Sequence, residues 1–270
     1  MDPIAIAAEC LCKDSSLLSA ERIKSGLTNE SWLVRADDDA IVVRFSNRAT
    51  DALQIDRHSE ATVLSIVAVA NIGAPVILCA PERHLLVTQF IPGRTWGARD
   101  ARSDENLKRV ATVLRNLHAL PVPQNVQVID LRKIVCGYWR TLLERGLGAQ
   151  VGTPEVRERA RQLVESLAED ATARLCHNDV HHLNLIDGPV DSSNDSRRLW
   201  MIDWEYAGIG DPYFDLASVC CYHALSDESR HTLLIAYMGK DDPQALERLR
   251  RMCWVFNYIR DLWFAVREME

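Results

Sequence analysis

Residues 61–80, "ATVLSIVAVANIGAPVILCA", carry no charge at any of twenty consecutive positions. A run of that length either crosses a lipid bilayer as a helix or lies inside the protein, because about 20 apolar residues span the hydrocarbon layer. Asn71, Gly73 and Pro75 interrupt it. Glycine and proline punctuate a chain and do not prolong a helix. The stretch therefore reads as a buried helix, a turn and a strand. It is core, and no membrane partner is expected.

That strand belongs to a set. "SWLVRA" and "AIVVRFS" are β-branched runs separated by the acidic "DDD", the pattern of a hairpin, and "PVILCA" and "HLLVTQF" add two further strands. With a helix from about Asp56 to Val69, the first ninety residues read as strands with one helix. Pro92 and Gly93 in "IPGRTW" mark a boundary between a lobe of residues 1–91 and a lobe of residues 92–270. The pattern beyond it is helical. "SDENLKRVATVLRNLHALP" opens on a Ser103 cap, aligns Leu107, Val110, Ala111, Leu114 and Leu117 on one face, and stops at Pro121. A second helix is expected near 154–169. Short strands follow in "NLI" and "RLWMID", and the last sixty residues are helical again. The fold class is α+β: a small β-rich N-terminal lobe, a larger helical C-terminal lobe, and a cleft between them suited to a ligand.

Charge narrows the partners. The chain has 31 Lys and Arg against 38 Asp and Glu, a net charge of −7. Phosphate-backbone binding needs a basic surface, so nucleic acid is not expected. A mildly negative field favours a cationic small molecule. The eight cysteines lack zinc-knuckle spacing and several sit in apolar runs, as reduced thiols of a cytoplasmic protein do. The opening "MDPIAIAAECLCKD" has no basic segment and its apolar run is broken by Glu9, so no signal peptide is read there.

The chemistry concentrates in "LCHNDVHHLNLI", residues 175–186. A zinc site would need His177, Asp179, His181 and His182 to converge, yet adjacent histidines point apart on regular backbone and H-E-x-x-H is absent. A serine hydrolase would need G-x-S-x-G, which does not occur. Phosphoryl transfer fits better. It uses a carboxylate facing the attacking hydroxyl and an Asn plus an Asp to hold magnesium. Asp179 and Asn184 are five residues apart in one loop, and Asp203 closes "MID" nineteen residues later, read here as the end of a strand.

These motifs resemble the aminoglycoside phosphotransferase and choline kinase superfamily, which shares the two-lobed protein kinase-like fold. "CHNDVHHLN" is similar to its catalytic loop and "IDWEYAGIGDPYFDLA" to its metal-binding segment, while "GLTN", "IDR" and "IPGRTW" are closest to choline kinase-like and thiamine kinase-like members. The resemblance implies ATP and Mg2+ as cofactors, with Asp179 as catalytic base and Asn184 and Asp203 as metal ligands. It implies that Gly26, Thr28 and Asn29 cover the triphosphate, that Arg44 meets phosphate while paired with Glu60, and that Gln89, Phe90 and Ile91 form the hinge against adenine. Asp211 and Asp215 are read as capping and orienting the helix "PYFDLASV", and His177 as a hydrogen-bonding support of the loop. The expected acceptor is a small cationic alcohol, choline- or thiamine-like, bounded by Glu205, Tyr206, Tyr222, Trp254, Tyr258 and Trp263. The alternatives are an aminoglycoside O-phosphotransferase and a catalytically inactive kinase-like binding protein. Leu183 stands where many members carry glycine before the asparagine.

Overall fold

A computed structural model describes residues 1–23, 29–37, 39–46, 55–189 and 197–268. Gly26 and Thr28, two of the residues expected over the triphosphate, lie outside the described residues.

The N-terminal region is a five-stranded antiparallel sheet in the order β1-β2-β3-β5-β4, built from β1 (Ser19–Ile23), β2 (Asn29–Ala36), β3 (Asp39–Ser46), β4 (Val76–Ala80) and β5 (Leu85–Gln89). The alternation of side chains along a strand decides its two faces. Ile41 and Val43 of β3 join Val34, Ala36, Leu85 and Val87 under the helix α1 (Pro3–Leu11). Val42 and Arg44 point the other way, opposite Leu33 and Ser31 on β2 and Thr88 and Leu86 on β5, and this face roofs a cavity. A period of two thus places one cation, Arg44, over the cavity without exposing it to bulk water.

The helix α2 (Arg57–Val69) opens on Asp56, whose carboxylate accepts the amides of His58 and Ser59. Its apolar positions Val63, Leu64 and Val67 join the large core of the C-terminal region, not the small core under α1. The charge-free run turns at Gly73, where a Cβ would meet Val67 Cγ2 at 2.7 Å and the Trp204 indole nitrogen at 3.0 Å. Only a glycine allows the chain to pass there on its way to β4. Among the described residues no helix is long and apolar enough to cross a membrane.

The C-terminal region holds α3 (Asp104–His118), α4 (Leu131–Glu144), α5 (Pro154–Glu169), α6 (Pro212–Tyr222), α7 (Asp227–Met238) and α8 (Pro243–Arg267). Each of these six helices begins on an Asp, Ser or Thr whose side chain accepts an amide of the first turn. Between them run a three-stranded sheet of β6 (Arg94–Thr95), β8 (Leu185–Pro189) and β9 (Arg197–Met201), and the pair β7 (Arg174–Cys176) with β10 (Gly208–Gly210).

Three expectations are corrected. The first ninety residues contain two α-helices, because Asp2 caps and Pro3 starts α1. Residues 131–144 form the unforeseen helix α4, capped by Asp130. The strand expected to end in Asp203 ends at Met201, and Asp203 sits beyond it in a left-handed backbone conformation, φ +65°. A non-glycine residue there is costly, and the turn swings its carboxylate out of the strand line.

Candidate active site

The loop 177–184 leaves β7 and is held from below by Asp215, a fully buried carboxylate on α6. Asp215 Oδ2 accepts the His177 amide at 2.9 Å and Oδ1 the Asn178 amide at 2.6 Å. Its Oδ2 also meets His118 Nε2 at 2.9 Å, and His118 Nδ1 meets the Tyr237 hydroxyl at 2.8 Å. Cys176 completes a buried cluster with His118 and Asp215. Its polar groups are already spent on holding the loop. Asp215, read from the sequence with Asp211 as capping and orienting α6, instead anchors the loop, and Asp211 is the residue that caps the helix, through the Tyr213 amide.

His177 clips the two motif segments together. Its Nδ1 accepts the Asp179 amide at 3.3 Å, so Nε2 carries the proton and donates to the Ile202 carbonyl at 3.0 Å. Burial lowers its pKa, which keeps this neutral tautomer in place. The Ile202 amide returns to the Asn184 carbonyl at 3.0 Å. Asp179 and Asp203 are thereby set on adjoining turns, bordering one cavity of about 770 Å³.

Asp179 is held on both oxygens. The Tyr222 hydroxyl donates to Oδ1 at 2.9 Å, Asn184 Nδ2 to Oδ2 at 3.2 Å, and His181 Nε2 lies 3.4 Å from Oδ2. Burial alone would raise its pKa, but hydrogen bonds from His181 and Tyr222 and the nearby histidines hold it below the usual carboxylate value. His181, considered from the sequence for the rejected zinc site, is therefore part of the site. Its Nδ1 accepts the Leu183 amide at 3.2 Å, which fixes Nε2 as the donor toward Asp179. Its position two residues past the aspartate was the available signal.

Asp203 lies in a different field. Burial and then the charge of Glu205 push its pKa well up, while Arg44, 3.4 Å away, pulls it down. Arg44 also meets Glu60 at 2.7 Å, as expected, and despite burial Arg44 and Arg57 keep the Glu60 carboxyl ionised below its ordinary pKa. Arg57 was missed in the sequence. It joins Glu60 at 2.8 Å, Glu205 at 3.0 Å and the Asn29 amide oxygen at 3.1 Å. Asn29 Nδ2 in turn donates to Glu205 at 2.8 Å. Asn29 and Glu205 both border the cavity, and this network ties the two together.

A magnesium ion fits these residues. Asn184 has its Nδ2 engaged with Asp179, which leaves Oδ1 for a cation, and Asp203 adds a carboxylate whose neighbours are chiefly other carboxylates. Hard oxygen donors of this kind suit magnesium. A phosphate fits beside them, since Arg44 Nε is buried without a partner among the described residues.

Gln89, Phe90 and Ile91 border the far end of the cavity. The Gln89 and Phe90 amides already donate to the Pro75 and Ala40 carbonyls, each near 3 Å, so the Ile91 amide is the donor left for a base edge. At the other end stand Tyr206, Tyr222 and Trp263, with the Trp263 indole donating to the Tyr206 hydroxyl at 2.9 Å. Trp254 and Tyr258 do not belong with them. Tyr258 donates to the Val151 carbonyl, receives the Trp139 indole and stacks on Trp254, whose other face carries Arg159. On α8 the cavity face is Phe256, Ile259, Arg260, Trp263 and Phe264. At 3.6 residues per turn, positions 254 and 258 fall on the opposite side, against α4 and α5.

A profile of the phosphotransferase enzyme family matches residues 19–251. The chain belongs to that family. A probable choline kinase of Arabidopsis thaliana is 24% identical over 267 residues, covering 95% of this chain and 73% of that protein. A shorter match, 32% identical over 111 residues, is to the LicA protein of Haemophilus influenzae, covering 38% of this chain and 31% of that one. Among solved structures, choline kinase LicA from Streptococcus pneumoniae superposes with a TM-score of 0.80 at 22% identity, over 98% of this chain and 90% of that one. An aminoglycoside 3′-phosphotransferase of type VIII gives 0.61 at 19% identity, over 95% and 100%. The fold is the two-lobed protein kinase-like one, and by family this phosphotransferase is a small-molecule kinase.

Proposed function

We propose that this phosphotransferase moves the γ-phosphoryl group of ATP, with magnesium, to a hydroxyl of a small cationic alcohol of the choline or ethanolamine kind. The observation that carries this reading is the convergence of Asp179, Asn184, Asp203 and Arg44 on one cavity. In it, residues 1–91 serve the nucleotide and residues 92–270 supply the catalytic loop and the acceptor pocket.

The acceptor hydroxyl donates to Asp179, which orients its oxygen toward the γ-phosphorus and takes its proton as the new O–P bond forms and the bond to the β-γ bridging oxygen breaks. Because three donors already grip Asp179, it is a weak base, suited to a loose transition state in which the proton leaves late. Arg44, kept in place by Glu60, faces the phosphates. Asn184 and Asp203 would hold magnesium, whose charge when bound offsets that on the phosphate oxygens. The rings of Tyr206 and Trp263 would face the cationic end of the acceptor, each worth about 0.5–2 kcal/mol. The free thiols among the described residues accord with a cytoplasmic setting, where ATP is supplied.

The test is transfer of label from γ-labelled ATP across choline, ethanolamine, thiamine, several aminoglycosides and neutral sugars, with Asp179→Asn as control. Transfer to a cationic alcohol, lost in the variant, is expected. Transfer to sugars alone would overturn the acceptor class, and absence of nucleotide binding would overturn the reaction.

A further inference from the structure

The charges bordering the acceptor end of the cavity are not evenly matched. Its carboxylates have partners on the protein: Asp203 shares Arg44 with Glu60, Glu205 has Arg57 and Asn29, Asp130 has Arg132 at 3.1 Å, and Asp179 is held by Tyr222, Asn184 and His181. Two of its cations are not so answered. Lys133, on the first turn of α4, has no carboxylate within 4.0 Å among the described residues, and Arg260 of α8 has only Asp261, 3.8 Å away and 71% exposed. A contact of that length to a solvated neighbour in sequence contributes little.

Arg260 is also placed where an acceptor must lie. Its guanidinium carbon stands 5.9 Å from the centroid of the Tyr222 ring, and the hydroxyl of that ring donates to Asp179 at 2.9 Å. The arginine is therefore one side chain away from the carboxylate that meets the acceptor hydroxyl. Its side chain is 27% exposed, so the charge faces the cavity with limited access to bulk water. A purely cationic acceptor would meet this charge as a repulsion. An acceptor with a negative group of its own would give the guanidinium a bidentate partner.

We infer that the acceptor is zwitterionic: a hydroxylated amine that also carries a carboxylate, read by Arg260, while the aromatic rings read the cationic end. This rests on the kinase reading above and narrows its substrate. It makes Arg260 a specificity-determining residue.

Matched acceptors that differ only by a carboxylate test it: L-serine against ethanolamine, L-homoserine against propanolamine, and carnitine against β-methylcholine. Two readouts are needed, phosphate transfer and calorimetric binding in the presence of magnesium and a non-hydrolysable ATP analogue. In the wild-type protein at least one carboxylate-bearing member should bind about tenfold more tightly than its partner and be used in preference, a difference of about 1.4 kcal/mol. Arg260→Gln should erase that preference with the ATP KM unchanged, and Arg260→Lys should restore part of it. Unfolding midpoints of both variants establish that the fold is intact. Tighter binding of the carboxylate-free member in every pair overturns the inference. So does an Arg260→Gln variant that loses both members of a pair equally, or one in which the ATP KM rises, which would assign Arg260 to the phosphates. Carboxylate-selective binding without any transfer would keep the inference and overturn the proposed reaction.

Discussion

Arg57 and Glu205 stand 148 positions apart in the chain and meet at 3.0 Å, with 10% and 3% of their side chains exposed. The same Arg57 nitrogen lies 2.8 Å from Glu60. One guanidinium on the first turn of α2 thus answers two buried carboxylates, one on its own helix and one two residues beyond Asp203. Removing one partner of such a cluster leaves a buried charge uncompensated, which costs about 3–5 kcal/mol. Arg57→Ala should therefore lower stability by about that amount, measured by urea unfolding. Adding Glu205→Gln to that variant should recover part of the loss, because the charge left unanswered is then gone. Additive losses in the double variant would show that the two side chains do not couple.

Asp179→Asn isolates the chemistry from the binding. The amide keeps the shape but cannot take a proton, and positioned acid–base groups contribute about 10²–10⁴ in rate. The expected loss in kcat is in that range, with nucleotide affinity within about twofold of wild type, since Asp179 lies at the acceptor side of the cavity. Turnover retained in steady-state assays would remove Asp179 from its proposed role.

Much of the site was legible because short-range patterns carried it. Asp179 and Asn184 share one loop, while Arg44 was named through the family resemblance, and strand alternation accounts for its place over the cavity once β3 is paired. What escaped were relationships that no spacing encodes. Arg57 reads as an ordinary first-turn arginine until the fold brings Glu205 to it. The helix α4 was missed although it was legible: the Asp130 cap precedes an apolar stripe of Leu131, Ile134, Val135, Tyr138 and Leu142 at helical spacing. Trp254 and Tyr258 were grouped with Trp263 as one aromatic helix, yet a helix buried on several sides cannot show from sequence alone which side meets the ligand. Helical spacing already sets 254 and 258 opposite 263, and packing against α4 and α5 decides which of the two sides turns away from the cavity.

That separation is measurable. Trp263→Ala removes a ring from the cavity and its hydrogen bond to Tyr206, so the acceptor KM should rise by about 3- to 30-fold, as expected of a lost cation–π contact. Trp254→Ala removes a ring stacked on Tyr258 at a centroid distance of 5.5 Å, away from the cavity. Its cost should appear as about 1–3 kcal/mol of stability, with the acceptor KM unchanged. A KM effect from Trp254 equal to that from Trp263 would put both rings in the acceptor pocket.

His223 predicts how the protein responds to acid. It is 1% exposed at the end of α6, with Nδ1 donating to the Val219 carbonyl at 2.8 Å and Nε2 buried without a partner among the described residues. Protonation would place a second N–H where no acceptor waits. Burial lowers its pKa from 6.5 to about 4, against the pull of the Val219 carbonyl and with help from the nearby His182. Between these two values the unfolded chain binds a proton that the folded chain refuses, so stability rises with pH across that window. The contribution is whole above about pH 6.5, falls as the pH drops toward about 4, and changes no further below it. The shift corresponds to about 3 kcal/mol. Burial lowers the pKa of His177 as well, which adds a slope of the same sign. Asp203, whose carboxyl is pushed well up by burial and Glu205, adds a slope of the opposite sign, so the His223 part is read by difference. Between pH 7 and pH 4 the urea midpoint should fall less steeply with acidity in His223→Leu than in the wild-type protein, whatever the change does to stability at pH 7. Parallel curves for the two proteins would mean that the folded state accepts a proton on His223 as readily as the unfolded one.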